Sequence, residues 1–143
     1  MAEDARLRVL GLDVGERRIG MAVSDPTRTI SSPLSPIVRR SPHEDINQIM
    51  SIANDNQIQT IVVGLPISLN GILGPQGRRI KQFIKELSMS SDIPIRSQDE
   101  RFSTVEAQRL LREGGHKPSQ NKGLLDSASA AIILQSYLDR TGP

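Results

Sequence analysis

The sequence predicts a three-layer α/β domain built around a mixed five-stranded sheet. Three apolar segments near the start of the chain follow one another through short turns, which is typical of antiparallel strands. Further along, apolar segments alternate with amphipathic ones, which is typical of parallel strands joined by right-handed helical crossovers. We therefore expect the order β-β-β-α-β-α-β-α-α in one domain of 143 residues, with flexible ends at 1–6 and 140–143.

The first three strands are predicted close to the start of the chain. Residues 7–14 (LRVLGLDV) and 18–24 (RIGMAVS) are apolar runs, and Gly15 makes the turn between them. A weaker third strand is expected near 35–39 (SPIVR). Proline cannot donate a ladder hydrogen bond, so the prolines here indicate a sheet edge or a strand start.

The first helix is predicted from its cap and from its periodicity. Ser41 is a good N-cap, Pro42 suits the first helical position, and Glu44 completes a capping box. The apolar residues that follow recur at helical spacing: Ile46, Ile49, Met50 and Ala53.

The middle of the chain predicts a buried strand, a loop, a helix and a short strand. Residues 59–65 (QTIVVGL) are almost continuously apolar, as in a strand covered on both faces. Residues 66–77 contain three glycines and two prolines and are expected to form a loop. A helix should begin at Arg78, and 93–98 (IPIRSQ) should form a strand.

Two further helices are expected after this strand. Ser103 and Glu106 make a second capping box, and the helix they open should end at Gly114 and Gly115. A polar stretch over 115–122 then leads to a last helix over 124–138, which is rich in Ala, Ile and Leu.

The composition excludes several classes of site and target. The chain has no Cys, which rules out disulfide scaffolds and thiolate chemistry, and only two His, which disfavours a zinc site. Three aromatic residues are too few for recognition of single strands by several stacked bases. The acidic start and the lack of a long apolar segment predict a soluble, cytoplasmic protein.

Four acidic residues stand where a ligand site is expected. Asp13 lies within an apolar strand, where a carboxylate needs a partner or a cation. Asp99 and Glu100 follow a strand at its carboxyl end, the edge where open α/β sheets bind ligands. Asp126 lies in the first turn of an apolar helix. Each of them also has an ordinary explanation as a turn or helix-cap residue.

Convergence of Asp13, Glu100 and Asp126 would require cations, because three carboxylates repel one another. Oxygen-only ligands suit Mg²⁺ or Mn²⁺. Two such ions about 3.5–4 Å apart can clamp the attacking and leaving oxygens of a phosphodiester. The acids therefore favour metal-assisted hydrolysis of a nucleic acid.

Several arginines are candidates for phosphate binding. Arg17 and Arg18 lie just beyond Asp13, and Arg78 and Arg79 should open a helix after a glycine-rich loop. Arg101 could neutralise one of the neighbouring acids. The net charge of +2 does not identify a partner by itself, and each basic group could equally lie on a solvated surface.

Four blocks of the sequence resemble the bacterial YqgF family, also called RuvX, of pre-16S ribosomal RNA nucleases or Holliday-junction resolvases. They are GLDVGERRIGMAVSD (11–25), VVGLPISLNGILG (62–74), DERFSTVEA (99–107) and LDSASAAIILQSYLD (125–139). All four occur in this order and spacing, and the resemblance extends from about residue 7 to residue 139.

The resemblance implies a ribonuclease H-like fold and a metal site formed by Asp13, Glu100 and Asp126, holding one or two Mg²⁺ or Mn²⁺ ions. It implies a role in ribosome biogenesis, with structured pre-16S ribosomal RNA as the substrate and the ribosome as a partner. The rival function is resolution of branched DNA junctions. A monomer and a homodimer are both compatible with it.

This sequence departs from many relatives just before the last helix, where theirs is densely basic. Residues 116–124 (HKPSQNKGL) offer only Lys117 and Lys122. A weaker hold on the substrate, or one that relies on 78–85 instead, would follow. The predicted nucleic-acid contacts are Arg17, Arg18, Arg78, Arg79, Arg101 and Lys122.

Two other classes of function are less well supported. The GLDVG segment also resembles the first phosphate loop of sugar kinases and the Hsp70 group, but those proteins need two such domains around a cleft. A catalytically silent nucleic-acid-binding module would not need acids at all three positions.

Overall fold

The computed structural model describes residues 6–67, 71–100 and 122–142, with the backbone alone at 122–126. The strands in these ranges are β1 (Arg8–Val14), β2 (Arg18–Ser24), β3 (Ser31–Val38), β4 (Ile58–Leu65) and β5 (Ile95–Asp99). The helices are α1 (Pro42–Asp55), α2 (Pro75–Met89) and α3 (Lys122–Thr141). No helix within the described ranges is long and apolar enough to cross a membrane.

The five strands form one mixed sheet with β1 at its centre. Their order across the sheet is β3-β2-β1-β4-β5. β1 runs antiparallel to β2, with Leu12 opposite Met21, and parallel to β4, with Leu12 opposite Val63. β4 and β5 are also parallel. The predicted α/β class and the mixed five-stranded sheet are confirmed.

Helices cover both faces of the sheet, as expected for three layers. Successive residues of β1 face opposite sides. Leu10 and Leu12 belong to a core cluster that includes apolar residues of α1 and α2. Val9 belongs to a second cluster with residues of α3 such as Leu134. By the same alternation, Asp13 lies on the α3 side of β1.

The first helix begins where its sequence signals predict. The Glu44 backbone N–H donates to Ser41 Oγ at 3.2 Å, and Pro42 occupies the first helical position. The apolar positions Ile46 and Ile49 are buried against the sheet.

The structure places the starts of β3, α2 and β5 at residues other than those predicted. β3 starts at Ser31 and not near 35, because an edge strand tolerates Pro33, which pairs opposite Ala22. α2 starts at Pro75 and not at Arg78, because proline needs no backbone N–H at the first helical position. The loop is therefore shorter than predicted. β5 starts at Ile95, two residues later than predicted.

The last helix is longer than the predicted 124–138. It extends to Thr141, so Arg140 and Thr141 are helical and do not belong to the expected flexible end. Arg140 Nη2 donates to Gln98 Oε1 of β5 at 2.6 Å, which anchors this last turn. Gly142 follows the last helical residue, and its φ of 73° favours glycine. The predicted helix over 103–114 and the polar stretch over 115–121 lie outside the described residues.

A glycine at the centre of the sheet allows α3 to pack closely. A Cβ atom at Gly11 would lie 2.8 Å from Leu134 Cβ and 3.1 Å from the Ala130 carbonyl oxygen. Both distances are too short for ordinary contact. Gly11 therefore lets α3 rest directly on the backbone of β1.

Gly11→Ala is expected to lower the free energy of unfolding by about 1–3 kcal/mol, because the added methyl group overpacks the contact with α3. Urea unfolding measures this difference. Ser129→Ala, on the exposed face of α3, is the control and should stay within about 0.5 kcal/mol of wild type. A Gly11→Ala protein as stable as wild type would show that α3 can shift at no cost.

Candidate metal centre

Two of the predicted acids meet at the carboxyl end of the parallel strands. Asp13 is the next-to-last residue of β1 and pairs opposite Gly20 of β2. Glu100 directly follows Asp99, the last residue of β5. Since β1, β4 and β5 are parallel, their carboxyl ends share one edge, which is the usual place for ligands in such sheets.

Gly64 of β4 leaves the space into which Glu100 extends. A Cβ atom at Gly64 would lie 3.1 Å from Glu100 Cδ and closer still to Glu100 Oε1. β4 separates β1 from β5, and Gly64 comes one residue after the Leu12–Val63 pair, so it lies beside Asp13. The Glu100 carboxyl group therefore crosses the sheet toward Asp13.

Gly64 was not among the predicted site residues, although the sequence contained a signal for it. A glycine within an apolar run often marks a close approach by another group. Here the approaching groups are the Glu100 carboxyl group and the Ile133 side chain of α3.

The surroundings of the Glu100 carboxyl group favour its protonated form. Burial, followed by the negative charges of Asp13 and Asp99, raises the pKa of Glu100 to about 7. Desolvation and like charge both disfavour the ionised form, so they act in the same direction. A nearby cation would oppose both effects.

The backbone of α3 brings Asp126 to the same end of the sheet. The Ser127 side chain is buried, and its Oγ accepts the Met21 backbone N–H at 3.2 Å. The β2–β3 register shifts between Ile19 and Met21. Met21 follows Gly20, the partner of Asp13, so the hydrogen bond from Met21 holds Ser127 close to the acids. Asp126 directly precedes Ser127 in the chain. Its side chain is not among those described.

The described acids have the right chemistry for a hard cation but do not complete a site. In the part of the chain that the structure describes, no group of three or more His, Cys, Asp or Glu side chains could hold a metal ion. Asp13 and Glu100 offer only carboxylate oxygens, which fit Mg²⁺ or Mn²⁺. A further ligand is required, and Asp126 stays the predicted one.

The β1–β2 turn places two arginines beside Asp13. Arg17 and Arg18 are exposed. They line an open cavity of about 500 Å³ together with Asp13, Gly15, Glu16, Gly20 and Val38. The predicted proximity of these arginines to Asp13 is thus present in the structure.

Arg79 lines a second cavity that shares Gly15 and Glu16 with the Asp13 cavity, whereas the other predicted basic contacts lie elsewhere. Arg78 and Arg79 are exposed about one turn into α2 and do not line the Asp13 cavity. Arg78 instead lines a groove of about 470 Å³ with Lys81, Gln82, Ile84 and Lys85. Arg101 and the side chain of Lys122 lie outside the described part of the chain.

The raised pKa of Glu100 predicts that stability of the metal-free protein falls as the pH rises. Between the ordinary pKa of 4.5 and about 7, the folded state keeps a proton that the unfolded chain has lost. Glu100→Gln should remove this fall and be more stable than wild type at pH 8. Urea unfolding in EDTA across this range measures it. Asp92→Asn, an exposed control, should follow wild type, whereas a pH-dependent fall in Glu100→Gln as steep as that of wild type would contradict the assignment.

Comparison of the sequence with known proteins gives a match over nearly the whole chain. A model of the RuvX family, described as Holliday junction resolvase, matches residues 7–140. A protein of Roseiflexus sp. (strain RS-1), named "Putative pre-16S rRNA nuclease", is 46% identical over 132 residues, covering 92% of this chain and 94% of that protein. A protein of the same name from Thermoanaerobacter pseudethanolicus is 43% identical over 134 residues, covering 93% and 96%.

Solved structures with little sequence similarity share the fold. RuvC of Thermus thermophilus in complex with a Holliday junction substrate has a TM-score of 0.61 at 13% identity, covering 95% of this chain and 96% of that chain. The fowlpox virus resolvase with its junction DNA has a TM-score of 0.59 at 12% identity, covering 93% and 97%. The predicted ribonuclease H-like fold is confirmed. The family match and relatives above 40% identity together establish that this chain belongs to the RuvX family.

Proposed function

We propose that this protein is a metal-dependent nuclease that hydrolyses phosphodiester bonds and processes the 5′ end of pre-16S ribosomal RNA. The observation that carries the proposal is the approach of Asp13 and Glu100 at the ligand-binding edge of the sheet. Their negative charges repel each other there. Such a pair is costly without a cation. The names of the relatives in the family support the substrate class.

Asp13 and Glu100 would hold Mg²⁺ or Mn²⁺, one ion or two, with Asp126 as a further ligand. When bound, the cation would neutralise the negative charge that develops on the phosphodiester during hydrolysis. Glu100 has to lose its proton to become a ligand, because only the carboxylate coordinates. Metal binding should therefore release a proton near neutral pH.

Arg17 and Arg18 would hold a substrate phosphate next to these acids. Both line the Asp13 cavity, and a guanidinium group binds phosphate through two parallel hydrogen bonds. The basic groove along α2 would contact the strand further from the cleaved bond. Arg101 and Lys122 are proposed as additional contacts. A cytoplasmic location is part of the proposal, and the proposed RNA substrate and ribosomal partner support it.

Resolution of Holliday junctions is the second candidate function. The description of the matching family model favours it. Both reactions would use the same acids, so the substrate alone distinguishes them. A junction has two strands to be cut symmetrically, and a resolvase would therefore act as a homodimer, whereas RNA processing is compatible with a monomer.

Asp13→Asn is expected to reduce the rate of cleavage by at least about 100-fold. Mutation of residues that only orient metal ligands already lowers metal affinity or activity by about 10–100-fold. The assay uses Mn²⁺ or Mg²⁺ with a labelled 5′-extended pre-16S RNA and a labelled four-way DNA junction. Asp92→Asn controls for loss of an exposed carboxylate and should keep full activity.

Each result of this assay has a distinct meaning. Cleavage of the RNA alone, lost in Asp13→Asn, supports the proposed function. Symmetric cutting of the junction alone replaces it with the resolvase function. Cleavage of neither substrate, together with no Mn²⁺ binding in a titration calorimeter, indicates a silent nucleic-acid-binding module.

Arg78→Ala combined with Arg79→Ala is expected to weaken RNA binding and to reduce the slope of log K against log salt by up to about 1.8. Each lost phosphate contact removes about 0.7–0.9 from that slope. Binding is measured across a salt series. Arg6→Ala combined with Arg28→Ala, at the opposite end of β1, is the matched control and should leave the slope unchanged. Equal slopes for both double variants would mean that Arg78 and Arg79 only face solvent.

A further inference from the structure

The turn between β1 and β2 follows Asp13 almost immediately and is closed by its own backbone. The Gly15 N–H donates to the Arg18 carbonyl oxygen at 2.9 Å. A Cβ atom at Gly15 would lie 2.8 Å from that oxygen, so glycine permits the tight turn. Asp13, Gly15 and Arg18 line the same cavity. A shift of this turn would therefore change the geometry of the candidate metal centre.

Arg39, the first residue after β3, binds this turn at two points. Its backbone N–H donates to the Arg17 carbonyl oxygen at 2.9 Å. Its Nη1 donates to the Gly15 carbonyl oxygen, also at 2.9 Å. One residue thus satisfies two carbonyl groups of the turn and fixes their relative positions.

The side chain of Arg39 is itself held by two helices. Its Nε donates to Asp45 Oδ2 at 3.1 Å, and its guanidinium group lies 5.3 Å from the centre of the Phe83 ring. Asp45, in the first turn of α1, is only 1% exposed, and its Oδ1 accepts the Arg40 backbone N–H at 2.9 Å. The ion pair therefore connects the turn to α1 and α2.

The geometry of this pair matters more than its contribution to stability. Asp45 is buried and Arg39 is partly buried, and the desolvation of such charges largely offsets their attraction, so the pair is a weak source of stability. A guanidinium group, however, donates in several fixed directions at once, here toward Asp45 and toward Gly15. A lysine ammonium group cannot donate in these two fixed directions at once.

We propose that Arg39 and Asp45 are positioning residues that fix the β1–β2 turn and thereby set the position of Asp13 for cation binding. The inference rests on the proposed function, because it requires that Asp13 holds a cation. A role in stability alone would weaken cation binding only to the extent that the protein unfolds.

Arg39→Lys and Asp45→Asn test the inference in the full chain. Mn²⁺ binding is measured by titration calorimetry under conditions where circular dichroism shows each variant to be folded. Both variants should bind Mn²⁺ about 10–100-fold more weakly, the range for residues that orient metal ligands. Ile49→Val, which truncates a buried core residue of α1, controls for a general loss of stability and should keep wild-type affinity. Amide exchange at Gly15 should be faster in Arg39→Lys and unchanged in Ile49→Val.

The outcomes separate this inference from the proposed function. Wild-type affinity in Arg39→Lys and Asp45→Asn, with binding lost in Asp13→Asn, overturns the positioning role and leaves the proposed function intact. An equal loss of affinity in Ile49→Val also overturns it, because stability would then be the cause. A wild-type protein without Mn²⁺ binding, or an Asp13→Asn protein with wild-type affinity, rejects the proposed function and this inference together.

Discussion

The structure depends on how closely α3 packs against the centre of the sheet. Gly11 and Gly64 have no side chain at the points where Leu134 and Ile133 approach β1 and β4. Dense packing of a helix on bare backbone excludes water from this face. A carboxyl group that enters the same layer is therefore desolvated. Gly64 admits both the helix and Glu100, so the packing of α3 and the position of the acid are determined together.

Desolvation makes the acidic centre sensitive to a cation. Without a cation, the raised pKa of Glu100 leaves this carboxyl group partly protonated near neutral pH, so the centre carries less negative charge than the sequence suggests. A bound cation would exchange places with that proton and would favour the folded state by mass action. The Glu100 carboxyl group thus links cation binding, protonation and the stability of the fold. It lies where α3, the end of β5 and Asp13 come together.

Signals within a few residues of each other predicted most of the fold, whereas contacts across the sheet could not be predicted. The cap at Ser41 predicted the start of α1, because capping depends only on the next three residues. The start of α2 was missed, since Pro75 can end a loop or begin a helix. The sequence indicated which acids to consider, but the path of Glu100 over Gly64 depends on the register of three strands. Nothing local in the sequence singles out Arg39, because its partner Asp45 is revealed only by the packing of α1 beside the turn.

The hydrogen bond between Met21 and Ser127 joins residues 106 positions apart in the chain. Residues 1–121 include Asp13 and Glu100 but none of α3. The face of the sheet that α3 covers therefore stays exposed to water until α3 is in place. Contacts of such long range form late, because the intervening chain has to be ordered first. We therefore expect the candidate metal centre to be completed only once α3 has packed on the sheet, which makes it one of the last parts of the molecule to form.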